Sequence, residues 1–69
     1  MNKENVRETL KEIYESLKKG NYDPLSQIVG YLNSGDPGYV SSYENARTKI
    51  IALDRADVIQ IMLEEFLNQ

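Results

Sequence analysis

The 69-residue sequence contains no cysteine, no histidine and no tryptophan. The absence of cysteine excludes a disulfide framework, a thiolate zinc site and a CxxC redox pair. Without cysteine and histidine, the chain also lacks the parts of a Cys–His or Ser–His–Asp nucleophile. No apolar run exceeds four residues, far below the roughly 20 that a membrane helix needs. The first residues carry charge but no apolar stretch, so we expect no secretory signal and a cytoplasmic protein.

Chain length and charge further limit the possible folds. Eleven acidic and eight basic side chains give a net charge of −3. At roughly 100–200 residues per domain, residues 1–69 make a single domain. Chains this short that lack disulfides and metals often gain stability by oligomerisation, so the composition favours self-association. Apolar periodicity is helical throughout, and we predict an all-α fold, a small homodimeric bundle of four to five short helices.

The first predicted helix runs from about Lys3 to Lys19 and ends at Gly20 and Asn21, which both tolerate a left-handed C-terminal cap. Its apolar face consists of Val6, Leu10, Ile13, Tyr14 and Leu17.

Two Asp-Pro pairs predict further helix starts, because Asp is a good N-cap and Pro is favoured at the first helical position. Asp23-Pro24 begins the second helix, which Gly35 ends, and Asp36-Pro37 begins a segment too short for more than one turn. Gly30 lies within the second helix, where glycine is costly. We expect a ring or backbone to pack closely on it; the alternative is a tolerated surface glycine.

Ser41 and Glu44 fit a capping box for a third helix over about residues 43–53, and Asp54 can cap a last helix over about 55–68. That last helix is apolar around well over half of its circumference, which is typical of a buried helix. We predict that it forms a dimer interface through Val58, Ile61, Met62 and Phe66. The alternative is a central core helix wrapped by the other three.

Catalytic and metal-binding patterns are weak. Ser16 to Lys19 formally reads S-x-x-K but lies at a helix end without an oxyanion-hole loop. The Glu64-Glu65 neighbours point apart on a helix, and Asp54 with Asp57 is explained by capping. Residues 35–38 lack the lysine and the preceding strand of a phosphate loop. We therefore expect no enzyme, no catalytic residues, no cofactor and no metal.

A small nucleic-acid-binding domain is the alternative function, because short helices around tight turns resemble a helix-turn-helix. The candidate recognition helix would carry Asn45, Arg47, Thr48 and Lys49. Nucleic-acid affinity depends on several basic side chains on one face, whereas this segment mixes them with acids in an acidic chain.

Four of the five tyrosines, Tyr22, Tyr31, Tyr39 and Tyr43, lie in the middle third of the chain. They either line helix junctions or form a protein-binding surface, in which Tyr and Arg are enriched. Arg47 has two corresponding interpretations: it contacts a partner, or it pairs internally with Glu44 or a C-terminal carboxylate.

A set of motifs in residues 22–47 resembles the IreB/ReoM family of small regulatory phosphoproteins of low-GC Gram-positive bacteria. The resemblance extends more loosely from about Val6 to the C-terminus. The motifs are Tyr22-Asp23-Pro24, Gln27-Ile28-Val29-Gly30-Tyr31, Ser34-Gly35-Asp36-Pro37-Gly38-Tyr39-Val40 and Ala46-Arg47.

This resemblance implies an all-helical, non-catalytic cytoplasmic homodimer. It implies control by a membrane Ser/Thr kinase with PASTA domains and its partner phosphatase. The implied output is regulation of peptidoglycan synthesis and the cell-wall stress response, through Clp-protease turnover of the UDP-GlcNAc enolpyruvyl transferase. Homodimerisation and a protein partner in cell-wall synthesis or Clp proteolysis are therefore expected.

The resemblance also guides the choice of site residues. The family's phosphorylated Thr lies in an acidic N-terminal tail, whereas here a helix is predicted almost from Met1, so the phosphorylated residue is unknown. Arg47 and Arg55 keep two positions of the family's basic row, while Ser42 and Ile51 stand where arginines are usual. We expect partner binding by Arg47, Arg55, Tyr39 and Tyr43.

Overall fold

Four α-helices and two single 3-10 turns make up the computed structural model, which describes residues 2–69, and this part of the chain contains no strand. The all-α prediction is confirmed. The α-helices are α1 (Lys3–Lys19), α2 (Pro24–Ser34), α3 (Ala46–Ile51) and α4 (Arg55–Leu67), and the 3-10 turns are Pro37–Tyr39 and Tyr43–Asn45.

Short polar side chains set where the helices begin. The Asn2 side chain accepts hydrogen bonds from the Glu4 and Asn5 amides at the start of α1. Aspartates do the same for α2, the first 3-10 turn and α4: Asp23 accepts from the Ser26 amide, Asp36 from the Gly38 amide and Asp54 from the Asp57 amide, at 2.8–3.1 Å. These caps satisfy amides that lack a partner within the helix, and the three predicted aspartate starts are confirmed.

The end of α1 differs in detail from the prediction. Asn21 is the residue in the left-handed conformation, with φ 66°, whereas Gly20 has φ −81°. Gly20 has another role, since a Cβ there would lie 3.0 Å from the rings of Tyr22 and Tyr43. The glycine therefore makes room for two tyrosines where the chain leaves α1.

The core is built mainly between α1, α2 and α3. Each of the four α-helices contributes to one cluster of buried apolar side chains, together with two residues from the connecting segments: Val6, Ile13, Leu17, Ile28, Tyr31, Val40, Ala46, Ile50, Leu53 and Val58. Leu10, Tyr14, Leu32 and Ile61 pack against it while remaining partly exposed.

Helix α4 lies on the outside of this core. Val58, with 1% of its surface exposed, is its one buried residue. Its C-terminal half is tied to α1 by two ion pairs between exposed side chains, Lys3–Glu64 and Arg7–Glu65. The alternative of a central helix wrapped by the other three is therefore wrong for the protomer.

The predicted helix over residues 43–53 is also wrong in its first part. Glu44 and Asn45 adopt left-handed backbone conformations, with φ 48° and 64°, so a 3-10 turn precedes the short α3. The capping box does not form: the Ser41 hydroxyl accepts from the Tyr43 amide, and the Glu44 carboxylate pairs with Lys19. A contact with a helix 25 positions earlier has displaced the local capping interaction.

Gly30 lies against an aromatic ring, as we expected for a glycine that lowers the stability of the helix containing it. A Cβ on Gly30 would lie 2.5 Å from Cδ1 of Tyr39, closer than carbon atoms can approach. The bare α2 backbone therefore lets the Tyr39 ring settle on the helix. This contact fixes the turn at residues 37–39 against α2.

Arg55 completes the C-terminus of α2. Its Nη1 donates to the Leu32 carbonyl at 3.0 Å, one of the last-turn carbonyls that lack a helical partner. Gly35 makes this possible, because its φ is 76° and a Cβ there would lie 2.8 Å from the guanidinium carbon. A positive charge at this end also opposes the negative end of the helix dipole.

We expect Gly30→Leu to lower the free energy of unfolding by about 1–3 kcal/mol, because it overpacks the Tyr39 contact. The measurement is urea unfolding followed by circular dichroism. Gly30→Leu combined with Tyr39→Ala removes the obstructing ring and should recover part of the loss. Equal unfolding midpoints for wild type and Gly30→Leu would show that the ring is free to move aside.

We expect Arg55→Ala to lower the free energy of unfolding by about 0.5–1.5 kcal/mol, the usual net worth of one hydrogen bond. The same urea assay measures it. Lys11→Ala, on the exposed face of α1, is the control for loss of a positive charge elsewhere. The cap interpretation requires amide exchange at the C-terminal turn of α2 to accelerate in Arg55→Ala only.

Candidate protein-binding surface

The chain between α2 and α3 is held in place by side chains from both helices. Oε1 of Gln27 accepts a hydrogen bond from the Ser41 amide at 2.9 Å. Nε of Arg47 donates to the Val40 carbonyl at 2.8 Å, and the Arg47 amide donates to the Ser41 carbonyl. Val40 itself is fully buried. Residues 39–47, which we call the junction segment, are thus a fixed surface of the protein.

The Gln27–Tyr31 motif explains much of this fixation. Gln27 binds the junction segment, Gly30 seats Tyr39, and Ile28 and Tyr31 enter the core. Four of the five motif residues are therefore structural, and they position the residues of the junction segment.

Arg47 is exposed and makes no ion pair within the described residues 2–69. The predicted internal pair with Glu44 does not form, since that carboxylate binds Lys19. Of the guanidinium nitrogens, Nε alone makes a hydrogen bond within residues 2–69, to the Val40 carbonyl. The terminal nitrogens of an oriented guanidinium are therefore free, which is the geometry that favours bidentate recognition of a carboxylate.

Arg55 differs from Arg47 in this respect. Its guanidinium lies against the C-terminus of α2, where a terminal nitrogen donates a hydrogen bond to the Leu32 carbonyl. The two arginines therefore donate to different carbonyls. Sequence spacing alone could not distinguish the arginine that caps a helix from the one with free terminal nitrogens.

The tyrosines divide into buried and half-exposed groups. Tyr31 belongs to the core, whereas Tyr39, with 51% of its surface exposed, rests on Gly30 with much of its surface outside. The rings of Tyr22 and Tyr43 pack at 6.2 Å between centroids and a 53° tilt. The tyrosines therefore line junctions, and Tyr39 and Tyr43 also expose surface near Arg47 in the sequence, so their part in a protein-binding surface stays a prediction.

An ion pair braces the left-handed turn. Nζ of Lys19 lies 2.9 Å from Oε2 of Glu44. The hydrogen bond from Lys19 is the main cause that lowers the pKa of the Glu44 carboxyl, and the Ser16 hydroxyl adds to it. The same hydrogen bond, with the carboxylate charge, raises the pKa of Lys19. Charge pairing therefore helps hold a backbone conformation that non-glycine residues adopt reluctantly.

A second candidate surface lies on α4. Five of its large apolar side chains are exposed, which we call the α4 stripe: Ile59, Met62, Leu63, Phe66 and Leu67. They recur at spacings of three and four and so share one side of the helix. Of the four predicted interface residues, Met62 and Phe66 lie on the stripe, Phe66 with 70% exposed. Val58 faces the protomer's own core, and Ile61 packs partly against it.

Ile59, Leu63 and Leu67 were missed as candidate interface residues. The signal that could have found them is the i, i+4, i+8 recurrence, which continues the stripe along the helix axis. A groove of about 370 Å³ adjoins the stripe between α1 and α4, lined by Leu10, Ile61, Met62 and Phe66 with the Arg7–Glu65 pair at its edge.

A concavity of about 680 Å³ lies along α1 beside Glu44 and Lys49 and is lined by side chains of both signs. Lys49 pairs there with Glu12 and Lys19 with Glu44, so neighbouring acids offset its basic charge. No group of acidic side chains suited to holding a metal ion occurs in residues 2–69. Among the helices of these residues, none is long and apolar enough to cross a membrane.

Acid should weaken the brace between Lys19 and Glu44. The pKa of Glu44 is lowered in the folded state, so its contribution to stability is present above its unfolded value of about 4.3 and is lost as pH falls through the folded value. We expect the urea midpoint of wild type to exceed that of Glu44→Gln at pH 7, and the difference to close as the pH falls below the unfolded value. Glu8→Gln is the control, and a gap that persists in acid would contradict the ion-pair explanation.

Comparison with known families agrees with these features. The model of the IreB regulatory phosphoprotein family matches residues 1–68, which is nearly the whole chain. The match includes the capped helix starts, the Gln27–Tyr31 motif and the junction segment that they position. The chain therefore belongs to the IreB family of regulatory phosphoproteins.

Proposed function

We propose that this protein is a non-enzymatic regulator that acts by binding a protein partner in the kinase-controlled regulation of peptidoglycan synthesis and the cell-wall stress response. Membership of a regulatory phosphoprotein family supports the regulatory role. The motifs that resemble the IreB/ReoM family support the pathway, in which a cytoplasmic regulator controls Clp-dependent turnover of the UDP-GlcNAc enolpyruvyl transferase.

The observation that carries the proposal is the exposed, oriented guanidinium of Arg47 on a fixed segment. Its Nε is anchored to the Val40 carbonyl, so little side-chain freedom remains to be lost when the terminal nitrogens bind a carboxylate. Half-exposed Tyr39 and Tyr43 belong to the same segment. Tyrosine and arginine are enriched in protein interfaces, so this surface suits an acidic patch on a folded partner.

Arg55 has a supporting part in the proposal. Its contact with the Leu32 carbonyl fixes the end of α2, from which the chain continues to Tyr39. We propose that it contributes to partner binding by positioning this surface and by adding positive charge near it.

We expect Arg47→Lys to weaken partner binding while the fold is retained, so that the variant loses most of the effect of wild type on the half-life of the enolpyruvyl transferase. Lysine keeps the charge but cannot hold the Val40 carbonyl and grip a carboxylate with the same planar group. The measurement is the half-life of the enolpyruvyl transferase in host cells that lack the native chain and express either version. Lys11→Arg, on the exposed face of α1, is the control.

The proposal predicts that deleting the chain changes the transferase half-life and that wild type restores it. A half-life that the deletion does not change would contradict the proposed role in this pathway. If the deletion changes the half-life and Arg47→Lys restores it as fully as wild type, only the proposed role of Arg47 is contradicted.

We also propose that the chain forms a homodimer through the α4 stripe. Its five large side chains are each about half exposed or more. They offer on the order of 500 Å² of apolar surface, in the upper part of the range for the largest patch of a monomer. This is more than half of the about 800 Å² that each partner buries in a standard interface. The adjoining groove, which shares Met62 and Phe66 with the stripe, can supply part of the remainder. A second copy offers the same apolar face, as a two-fold interface requires.

We expect Met62→Glu to convert the dimer to a monomer, because a charge would be buried without a partner in the interface. In the protomer Met62 is about half exposed, so its helical circular dichroism should survive. Gln60→Glu, on the same helix outside the stripe, should remain dimeric.

Sedimentation equilibrium at micromolar concentration measures both variants. A monomeric wild type would contradict the dimer. A dimeric Met62→Glu would place the interface on a different face of the protein.

A further inference from the structure

The seven serine and threonine hydroxyls of the chain are in unequal positions with respect to modification. A kinase must bring a hydroxyl to the γ-phosphate of ATP inside a cleft, which requires an exposed oxygen on backbone that is not locked in a helix. Thr9, Ser26 and Thr48 lie within α1, α2 and α3, and Ser16 is buried in α1. Reaching any of these four requires a helix to unwind.

Two of the remaining hydroxyls are engaged in structure. Ser34 Oγ donates to the Gly30 carbonyl at 2.7 Å and accepts from the Asp36 amide. Ser41 Oγ accepts from the Tyr43 amide. Modification of either would break bonds that hold the turns on both sides of Val40.

Ser42 differs from all of them. It is exposed, lies between the two 3-10 turns, and its side chain makes no capping hydrogen bond. Its backbone carbonyl accepts from the Asn45 amide, but its hydroxyl has no hydrogen-bond partner within residues 2–69. It is therefore the hydroxyl that a phosphoryl group can reach with the least cost to the fold.

Arg47 is placed to receive a phosphate at this position. Its side chain reaches back to the Val40 carbonyl, two residues before Ser42, and its amide binds the Ser41 carbonyl. The guanidinium therefore lies over the backbone that leads to Ser42, with its terminal nitrogens free of any ion pair in the described chain. Arginine binds phosphate oxygens in bidentate fashion, and such charge-assisted bonds are among the stronger hydrogen bonds.

We propose that Ser42 is a phosphorylation site and that its phosphate captures Arg47, withdrawing this arginine from the partner surface. The reaction is a transfer from ATP by a protein serine kinase: Ser42 Oγ forms a bond to the γ-phosphorus, its proton passes to the kinase, and ADP leaves. The second part of the proposal rests on the proposed function of Arg47; the modification site does not.

Phosphorylation of Ser42 adds negative charge to the surface around Arg47. A phosphoserine carries about −1.5 to −2 charge at neutral pH, whereas the proposed partner offers carboxylates to Arg47. Phosphate and partner therefore compete for the same nitrogens, and the added negative charge repels an acidic partner. Modification thus switches binding off.

The first test maps phosphate on tagged chains purified with phosphatase inhibitors from the native host, before and after cell-wall stress. We expect phosphoserine at Ser42 in wild type and in Thr48→Ala, and at least tenfold less total phosphate in Ser42→Ala. Thr48 is an exposed hydroxyl six residues away and provides the matched control. Absence of phosphate on wild type, or equal phosphate on Ser42→Ala, would overturn the site.

The second test uses protein made with phosphoserine at position 42 by genetic-code expansion, so that it does not depend on knowing the kinase. The ³¹P resonance of this protein is titrated against pH. Arg47 should hold the second phosphate pKa below its usual value of about 6, and Arg47→Gln should return it towards that value. Identical titrations would overturn the capture of Arg47.

Binding of the phosphoserine protein to the enolpyruvyl transferase and to the Clp protease, compared with binding of the unmodified protein, separates this inference from the proposed function. Loss of about tenfold or more in affinity supports the switch, and unchanged affinity overturns it. If neither form binds, the proposed partner and the switch both fail, while phosphate at Ser42 and its titration still decide the site.

Discussion

The contact between the Tyr39 ring and the bare backbone of Gly30 organises the middle of this protein. With this ring seated, the turn at residues 37–39 lies flat on α2, and Val40 can enter the core. Gln27 and Arg47 then bind the chain on either side of Val40. A side chain on Gly30 would displace the Tyr39 ring, and the contacts of Val40, Gln27 and Arg47 depend on the position of that ring.

Local rules predicted the helix starts but not the middle of the chain. The aspartate caps involve residues three positions apart or fewer, so the sequence contains all of their physics. The left-handed pair Glu44–Asn45 depends on Lys19 and on the Tyr22–Tyr43 contact, which come from α1 and the loop that follows it. No periodicity over residues 41–53 contains that information, and a capping box was the expected result.

The candidate sites show the same division. Sequence patterns indicated Arg47, Tyr39 and the apolar excess of α4, because residue type and spacing reveal them. They could not show that Arg55 closes the end of α2, or that Val58 faces inward while Ile59 and Leu63 face outward. Those assignments depend on how the helices rotate against one another. The family motif, in turn, consists largely of residues that position the surface, with Arg47 and Tyr39 as members that also belong to it.

Helix α4 is attached differently from the other helices. One buried side chain, the partly buried Ile61, the Arg55 hydrogen bond to the Leu32 carbonyl and two ion pairs between exposed groups attach it to the protomer. By contrast, α1 contributes three apolar residues that are fully buried. Elements with few buried contacts open locally at a free energy well below that of global unfolding. Amide protons of α4 should therefore exchange with solvent through local opening, and those of central α1 through global unfolding. Any molecule that covers the stripe slows exchange in α4 first, so protection of that helix reports on assembly without perturbing the core.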